Sequence, residues 1–307
     1  MKSVPGSIKE IIDELADNGK PLLYTEIADL SNLTSDELKY LDQLWPKIEV
    51  DRRRKITTRL VDLAEDNFEL NFDSILKNRL RDPDPEVRAK AIEGLWENEE
   101  TILITYFIRM LNEDPSDIVQ AAAAKALGKY ALLAELKRLG AYSSERVSQA
   151  LLAILGDRNK PEEVRRRALE AVSPLSLSQV KEFIKEAYIS PIAKVKNSAL
   201  FAMGKNCDSV WLPILIKEMA SGSSETRFEA AGACGEICDE EAVPHLIKLS
   251  QDKDAEVQQA AIIALGKIGG SKARLFLQKC AKSQDEIISE AAEQALKQID
   301  AEGDTLF

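Results

Sequence analysis

One β-branched position returns along this chain at an almost constant interval. The intervals between its successive copies are 31, 32, 45, 31, 31, 31 and 31 residues. The copies are Ile56, Val87, Val119, Val164, Val195, Thr226, Val257 and Ile288. A period of this length is typical of repeat proteins, in which each unit is one supersecondary motif that packs on its neighbours. The repeat therefore constrains the fold more strongly than any other feature of the sequence.

Counting forward from the recurring position gives every residue of a unit an offset. Apolar or small residues fill offsets 0, 4, 7 and 8, which trace one face of an α-helix. Offset four holds Leu60, Ala91, Ala123, Ala168, Ala199, Ala230, Ala261 and Ala292. Offset nine is glycine in four units, namely Gly128, Gly204, Gly235 and Gly266. We interpret these glycines as left-handed residues that end the helix.

A polar turn precedes each of these helices, and a second apolar-periodic run precedes each turn, for example at 102–111 and 177–187. Pro213 and Pro244 open two such runs, at helix positions where a missing N–H costs nothing. Each unit is therefore read as helix, turn and helix. The sequence predicts an all-α fold, a right-handed α-solenoid (superhelix) of about eight two-helix units without β-structure.

The repeat also predicts the domain boundaries. Residues 1–34 should form an N-terminal helical cap, because Ser7 and Glu10 have capping-box spacing and start a helix that runs to about Ala16. The solenoid should cover residues 35–300, with an extended insertion at about 130–146 that we read as a lengthened helix and a loop. Residues 301–307 should form a short flexible tail.

Composition narrows the classes of function. The 307 residues carry 41 Lys and Arg against 52 Asp and Glu, a net charge of −11, which argues against a general nucleic-acid binder. One His and four scattered Cys leave little material for a metal centre, and we expect no metal and no cofactor. No signal-peptide core and no apolar run of membrane-spanning length are apparent, so a cytoplasmic protein is expected.

The repeat resembles a known family. Its clearest copy reads Asp252-x-Asp254-x-Glu256-Val257-x-x-Ala260-Ala261-x-x-Ala264-Leu265-Gly266-Lys267-Ile268-Gly269. It is similar to the HEAT repeat of the phycobilisome-lyase type, and the turns before Val87 and Val164 resemble it too. This resemblance covers roughly residues 35–300. It implies an adaptor or scaffold more often than an enzyme, and a concave face lined by the second helices.

The family also has enzymatic branches. Deoxyhypusine hydroxylases hold two irons with His-Glu pairs, whereas the only His here is His245, followed by Leu246. Chromophore lyases resemble the repeat equally well and lack a simple signature, so they stay open. HEAT-like DNA glycosylases use a basic concave face, against which the net charge counts.

Single residues that could carry chemistry have ordinary structural explanations. His245 without Cys or carboxylate companions is no metal site. Cys234 and Cys238 are too few for zinc, Gly235 is expected to end the helix between them, and Cys234 occupies the core offset eight. The three Trp residues are expected to pack between units; they are Trp45, Trp96 and Trp211. We therefore predict no catalytic residue and no metal ligand.

Two basic runs have both a structural and a functional interpretation. The run from Asp51 to Lys55 opens a second helix and is either a solvated turn or a contact for an acidic partner. Arg165 is expected to bond along the row of turns, as the resemblance implies, while Arg166 and Arg167 are freer. Residues 101–200 hold 15 basic and 11 acidic residues, so this middle third is positive within an acidic chain.

Offsets two and six point away from the core face. Most of their occupants are polar, including Lys125 and Arg166, but Phe201, Phe228 and Ile263 are apolar and stand in consecutive units. Clustered exposed apolar residues often mark a binding site. The alternative is that curvature or a neighbouring helix covers them.

The sequence thus predicts a non-catalytic scaffold that binds a protein or peptide on its concave surface, with an acidic stretch of the partner beside apolar anchors. Its predicted site consists of cations followed by an apolar patch, namely Lys125, Arg166, Arg167, Phe201, Phe228 and Ile263. The alternative function is a lyase-like protein or chaperone that handles a tetrapyrrole. A nucleic-acid enzyme is the least favoured reading, and the oligomeric state is left open.

Overall fold

The chain is all-helical in a computed structural model that describes residues 7–304. No strand occurs in that range. The helices are α1 Ile8–Ala16, α2 Tyr24–Ala28, α3 Ser35–Leu44, α4 Val50–Asp66, α5 Asp73–Arg79, α6 Pro85–Gly94, α7 Ile102–Glu113, α8 Asp117–Glu135, α9 Ala141–Gly156, α10 Glu162–Val172, α11 Ser178–Tyr188, α12 Ala193–Asn206, α13 Leu212–Glu218, α14 Ser224–Ile237, α15 Val243–Leu249, α16 Ala255–Ile268, α17 Gly270–Cys280 and α18 Glu286–Asp304. Helices α3 to α18 form eight consecutive pairs, which confirms the predicted solenoid repeat.

The helices begin where side chains can satisfy their free backbone N–H groups. Ser7 accepts a hydrogen bond from the amide of Glu10, and the Glu10 carboxylate accepts one from the amide of Ser7, so the predicted capping box is confirmed. In the turns, Asp84 accepts from the amide of Val87 at 3.1 Å and Asp254 from that of Val257 at 3.3 Å. The turn aspartates therefore start the second helix of each of these pairs.

The recurring face forms the core. All eight residues at offset four are completely buried, with 0% exposure in each unit. Cys234 is also completely buried at offset eight, as predicted for a small apolar residue. Because alanine fills most of these positions, neighbouring second helices approach closely, and burial of the stripe drives the stacking of the pairs.

The glycines at offset nine do not end helices, and that prediction was wrong. Gly128, Gly204, Gly235 and Gly266 lie inside their helices. A Cβ on Gly204 would stand 2.7 Å from the Cα of Ala233, and one on Gly266 would stand 2.6 Å from the Cβ of Ala295. Gly204, Gly235 and Gly266 therefore allow close contact between second helices. The left-handed residues that follow α12 and α14 are Cys207 (φ 51°) and Cys238 (φ 58°), and Gly269 (φ 67°) follows α16 at the equivalent position.

Within the described residues the chain divides into two compact units. The first covers the chain up to Tyr130 together with Leu139–Ala150 and Arg158–Arg167, and the second covers Ala131–Arg138, Leu151–Asp157 and the chain from Ala168 onward. In the first unit, α1 packs on α3 and α2 packs on α4, so the two N-terminal helices cover the first pair. In the second unit, helices α12, α14, α16 and α18 pack in that order.

The three arginines of the basic run at the start of α4 make structural contacts, which neither interpretation of the sequence included. Arg52 donates to the carbonyl oxygens of Leu15 and Lys20, at 2.7 and 2.5 Å, and so fastens the N-terminal helices to α4. Arg53 donates to the buried carboxylate of Asp82 at 2.7 Å, and Arg54 donates to Asp84 at 2.6 Å. The three arginines are therefore engaged within the chain, whereas Asp51 and Lys55 at the two ends of the run are exposed.

The predicted insertion contains a lengthened helix, and its connection is short rather than an extended loop. Helix α8 continues to Glu135 and α9 begins at Ala141, so the extra residues lengthen both helices and leave a short connection. The predicted tail also differs, because α18 includes residues 301–304, while residues 305–307 lie outside the described range.

Trp45 and Trp211 are buried as predicted, but Trp96 is 57% exposed because it follows the end of α6.

Candidate partner-binding surface

Three apolar side chains stand out from the helix face of the second unit that points away from the core. Phe201, Phe228 and Ile263 are 38%, 42% and 43% exposed. They lie on α12, α14 and α16, which pack side by side. We call them the apolar row. Because neighbouring residues cover these side chains only in part, they offer apolar surface that water contacts in the chain as described.

The helices are held in a defined register along this row. Gly204 of α12 faces Ala233 of α14, and Gly235 of α14 faces Ala264 of α16, where an added Cβ would stand 2.9 Å from the Cα of Ala264. Offset nine of each helix thus faces offset seven of the next. The backbones are in van der Waals contact, so the face that carries the apolar row is rigidly supported.

A charged row borders the apolar row one helical turn further along the helices. Glu236 accepts hydrogen bonds from Lys205 at 3.0 Å and from Lys267 at 2.5 Å. Burial alone would raise the pKa of Glu236, but the hydrogen bonds from the two lysines lower it below its ordinary value. The Lys205 ammonium also stands 5.7 Å from the centre of the Phe201 ring. We call Lys205, Glu236 and Lys267 the charged row.

The predicted cations lie in the first unit. Lys125 is exposed on α8. On α10, Arg166 and Arg167 both bind Glu163, with nitrogen–oxygen distances of 2.7 and 2.9 Å, so one carboxylate offsets part of their charge. Burial alone would raise the pKa of Glu163, but the hydrogen bond from Arg166 and the positive charges of Arg166 and Arg167 lower it below its ordinary value. The two arginines thus form one cluster, whereas the apolar row belongs to the second unit.

Sequence reasoning missed the charged row and the residue inside the apolar row. Gly232 occupies offset six of α14, is exposed, and has open space where a Cβ would stand. The signal was present, because offset ten reads Lys205, Glu236, Lys267 in consecutive units. It went unnoticed because alternating charges at exposed offsets look like an ordinary solvated face.

The remaining candidates are placed without forming a site. His245 is exposed on α15. Among residues 7–304, no three His, Cys, Asp or Glu side chains are grouped as they would be around a metal ion. No helix in the same range combines the length and apolar character needed to cross a membrane.

Comparison with known proteins agrees with the repeat. A family model of HEAT repeats matches residues 74–173 and 212–297. None of the curated protein sequences matches the chain with significance. Among solved structures, the complex of CpcE and CpcF of phycocyanin lyase from Nostoc sp. PCC7120 is 17% identical, with a TM-score of 0.54 and coverage of 98% of each chain. Kap95p in a structure with RanGDP is 16% identical, with a TM-score of 0.51, and covers 97% of this chain and 45% of that one. At these identities the two structures show a shared fold alone.

Proposed function

Because the chain belongs to the HEAT-repeat family, with the family model covering more than half of its length, we propose that it is a non-catalytic scaffold that binds a protein or peptide partner through the apolar row. The observation that carries this proposal is the exposure of Phe201, Phe228 and Ile263 on three adjacent helices. Large apolar side chains are costly to leave in water, and a contiguous set of them is the usual mark of an interaction site.

The aromatic side chains should provide most of the binding free energy. Hot-spot residues contribute about 2 kcal/mol or more each, and aromatic residues are enriched among them. Loss of about 2 kcal/mol weakens binding by roughly 30-fold, since every 1.4 kcal/mol is a factor of ten. Phe201 and Phe228 therefore form the anchors of the proposed site.

The cations of the first unit have a different proposed role. Lys125, Arg166 and Arg167 lie in the positive middle third of an acidic chain, and they would attract an acidic stretch of the partner over a longer range. Such charges mainly raise the association rate, and their effect is screened by salt. The proposal therefore predicts a salt-sensitive association rate and a dissociation rate set by the apolar row.

The test is affinity capture from the native cell followed by mass spectrometry, run with variants side by side. The double variant Phe201→Ala with Phe228→Ala should lose the partner that the unmodified protein captures. The control is Val210→Ala with Leu275→Ala, which removes two apolar side chains that are still more exposed, 55% and 61%, and that lie outside the second helices. Circular dichroism verifies that each variant is folded.

A second arm tests the cations with the captured partner in purified form. Arg166→Glu with Arg167→Glu should slow association at low salt and have little effect at high salt. If both double variants bind the partner as tightly as the unmodified protein at low and high salt, the proposed site is wrong.

A further inference from the structure

Gly232 has no evident structural reason to be a glycine. It lies inside α14, it is not among the residues with positive φ, and a Cβ there would meet no atom within 4 Å. Glycine is less favourable than alanine in a helix interior, so this residue weakens the helix without relieving a clash. The neighbouring Gly235 differs, because its Cβ would stand 2.9 Å from the Cα of Ala264.

The missing side chain leaves a notch with apolar walls. Phe201 and Ile263 occupy the same offset as Gly232 in the two flanking helices, and Phe228 lies one turn before it on α14. Helices in backbone contact lie roughly 8 Å apart, so Phe201 and Ile263 stand roughly 16 Å apart across the glycine. The register shift of two residues moves each flanking side chain by only roughly 3 Å along the helices. The notch is therefore walled on three sides by the apolar row.

The fourth side of the notch is the charged row. Glu236 lies one turn after Gly232 and binds both Lys205 and Lys267, which leaves two cations against one anion. The Glu236 carboxylate is ionised at neutral pH, because the two lysines lower its pKa. With two ammonium groups against this one carboxylate, the rim still carries a net positive charge.

We infer that the Gly232 notch receives one large apolar side chain of a peptide partner, and that a carboxylate next to this side chain contacts Lys205 and Lys267. This inference rests on the proposed function and names the chemistry that the apolar row recognises. The apolar walls would leave a buried charge unpaired, so they favour an aromatic or large aliphatic side chain. The positive rim adjoins the Phe201 ring, so a carboxylate of the partner can bind next to the apolar side chain that fills the notch.

The experiment uses the full chain, labelled for amide NMR, and N-acetyl-tryptophan as a probe that combines an aromatic ring with a carboxylate. The neutral analogue N-acetyl-tryptophanamide has the same ring without the charge. The variant Gly232→Leu fills the notch with a better helix former. The matched control is Gly156→Leu, because Gly156 ends α9, is exposed, and also has open space at its Cβ.

The inference predicts that the acid shifts the amide signals of Gly232 and its neighbours, and that it binds more tightly than the amide at low salt only. Gly232→Leu should weaken binding of N-acetyl-tryptophan by at least about tenfold, because the leucine side chain fills the notch that receives the indole ring. Gly156→Leu should leave this binding unchanged. An unshifted Gly232 signal, or equal binding by Gly232→Leu, overturns the notch. Equal binding of acid and amide at low salt overturns the carboxylate contact.

Failure of the notch is distinguishable from failure of the proposed function. If Gly232→Leu captures the native partner normally while Phe201→Ala with Phe228→Ala does not, the apolar row binds the partner without using the notch. If neither variant affects capture, the proposed function itself is wrong.

Discussion

The close contact between second helices can be tested with two glycines that differ only in their surroundings. Gly204 and Gly232 both lie inside helices of the second unit, at α12 and α14. A Cβ on Gly204 would stand 2.7 Å from the Cα and 2.9 Å from the Cβ of Ala233, whereas one on Gly232 would meet no atom within 4 Å. The same change, Gly→Ala, should therefore be less favourable for stability at Gly204 than at Gly232.

The expected magnitude follows from two terms. Alanine is favoured over glycine in a helix by about 1 kcal/mol, and this gain applies to both positions. At Gly204, carbon atoms prefer a separation of about 3.5–4.0 Å, so α12 and α14 must separate by roughly 1 Å. Overpacking of this kind costs about 1–3 kcal/mol. Gly232→Ala should therefore stabilise the protein by about 1 kcal/mol, and Gly204→Ala should be less stable than Gly232→Ala by about 1–3 kcal/mol.

Urea unfolding followed by far-ultraviolet circular dichroism measures both variants against the unmodified chain. Comparing the two variants cancels the helix-propensity term and isolates the cost of separating the helices. Equal unfolding midpoints with equal slopes for Gly204→Ala and Gly232→Ala would refute the close-contact explanation of the offset-nine glycines.

Three further outcomes follow from the core and the turns. Ala230→Leu should overpack the completely buried offset-four position and cost about 1–3 kcal/mol, and an unchanged thermal midpoint would show that the core face is misassigned. Arg53→Ala should cost about 3–5 kcal/mol in urea unfolding, because it leaves the buried Asp82 carboxylate without its cation; a loss within the range of a surface ion pair would contradict this. The hydrogen bond from Arg227 lowers the pKa of Asp252 in the folded protein below its ordinary value. The pair therefore stabilises the fold fully at a pH above the pKa of Asp252 in the unfolded chain, and this stability is lost as the pH falls through the lower pKa of the folded protein. Asp252→Asn should therefore flatten the acid limb of a stability–pH profile, and a profile parallel to that of the unmodified chain would exclude this role.

The architecture was predictable because the same physical requirement recurs in every unit. Alanine recurs at offset four in seven of the eight repeats, where second helices approach, and Ala199 and Ala230 could be identified from spacing alone. The offset-nine glycines were misread because glycine serves both helix ends and close contacts, and the local sequence does not distinguish these uses. Trp96 was misplaced because its burial depended on where α6 ends.

The site was less predictable because its properties depend on contacts between distant residues. Arg52, Arg53 and Arg54 appear as a free basic run, but their partners lie about one unit away in the sequence and are identified only once the turns are positioned in space. The apolar row followed from helical geometry. The notch did not, because a missing side chain gains meaning only from the side chains around it.

The left-handed residues after α12 and α14 have a practical consequence for spectroscopy. Cys207 and Cys238 are exposed thiols at equivalent places in successive units, and neither forms a disulfide. They are thus natural attachment points for a pair of spin labels or dyes that report the distance between two adjacent helix pairs of the repeat. Partial desolvation raises the pKa of the Cys207 thiol, so labelling proceeds faster in mildly alkaline buffer. Burial raises the pKa of Cys234 to about 12, so this thiol would stay unlabelled.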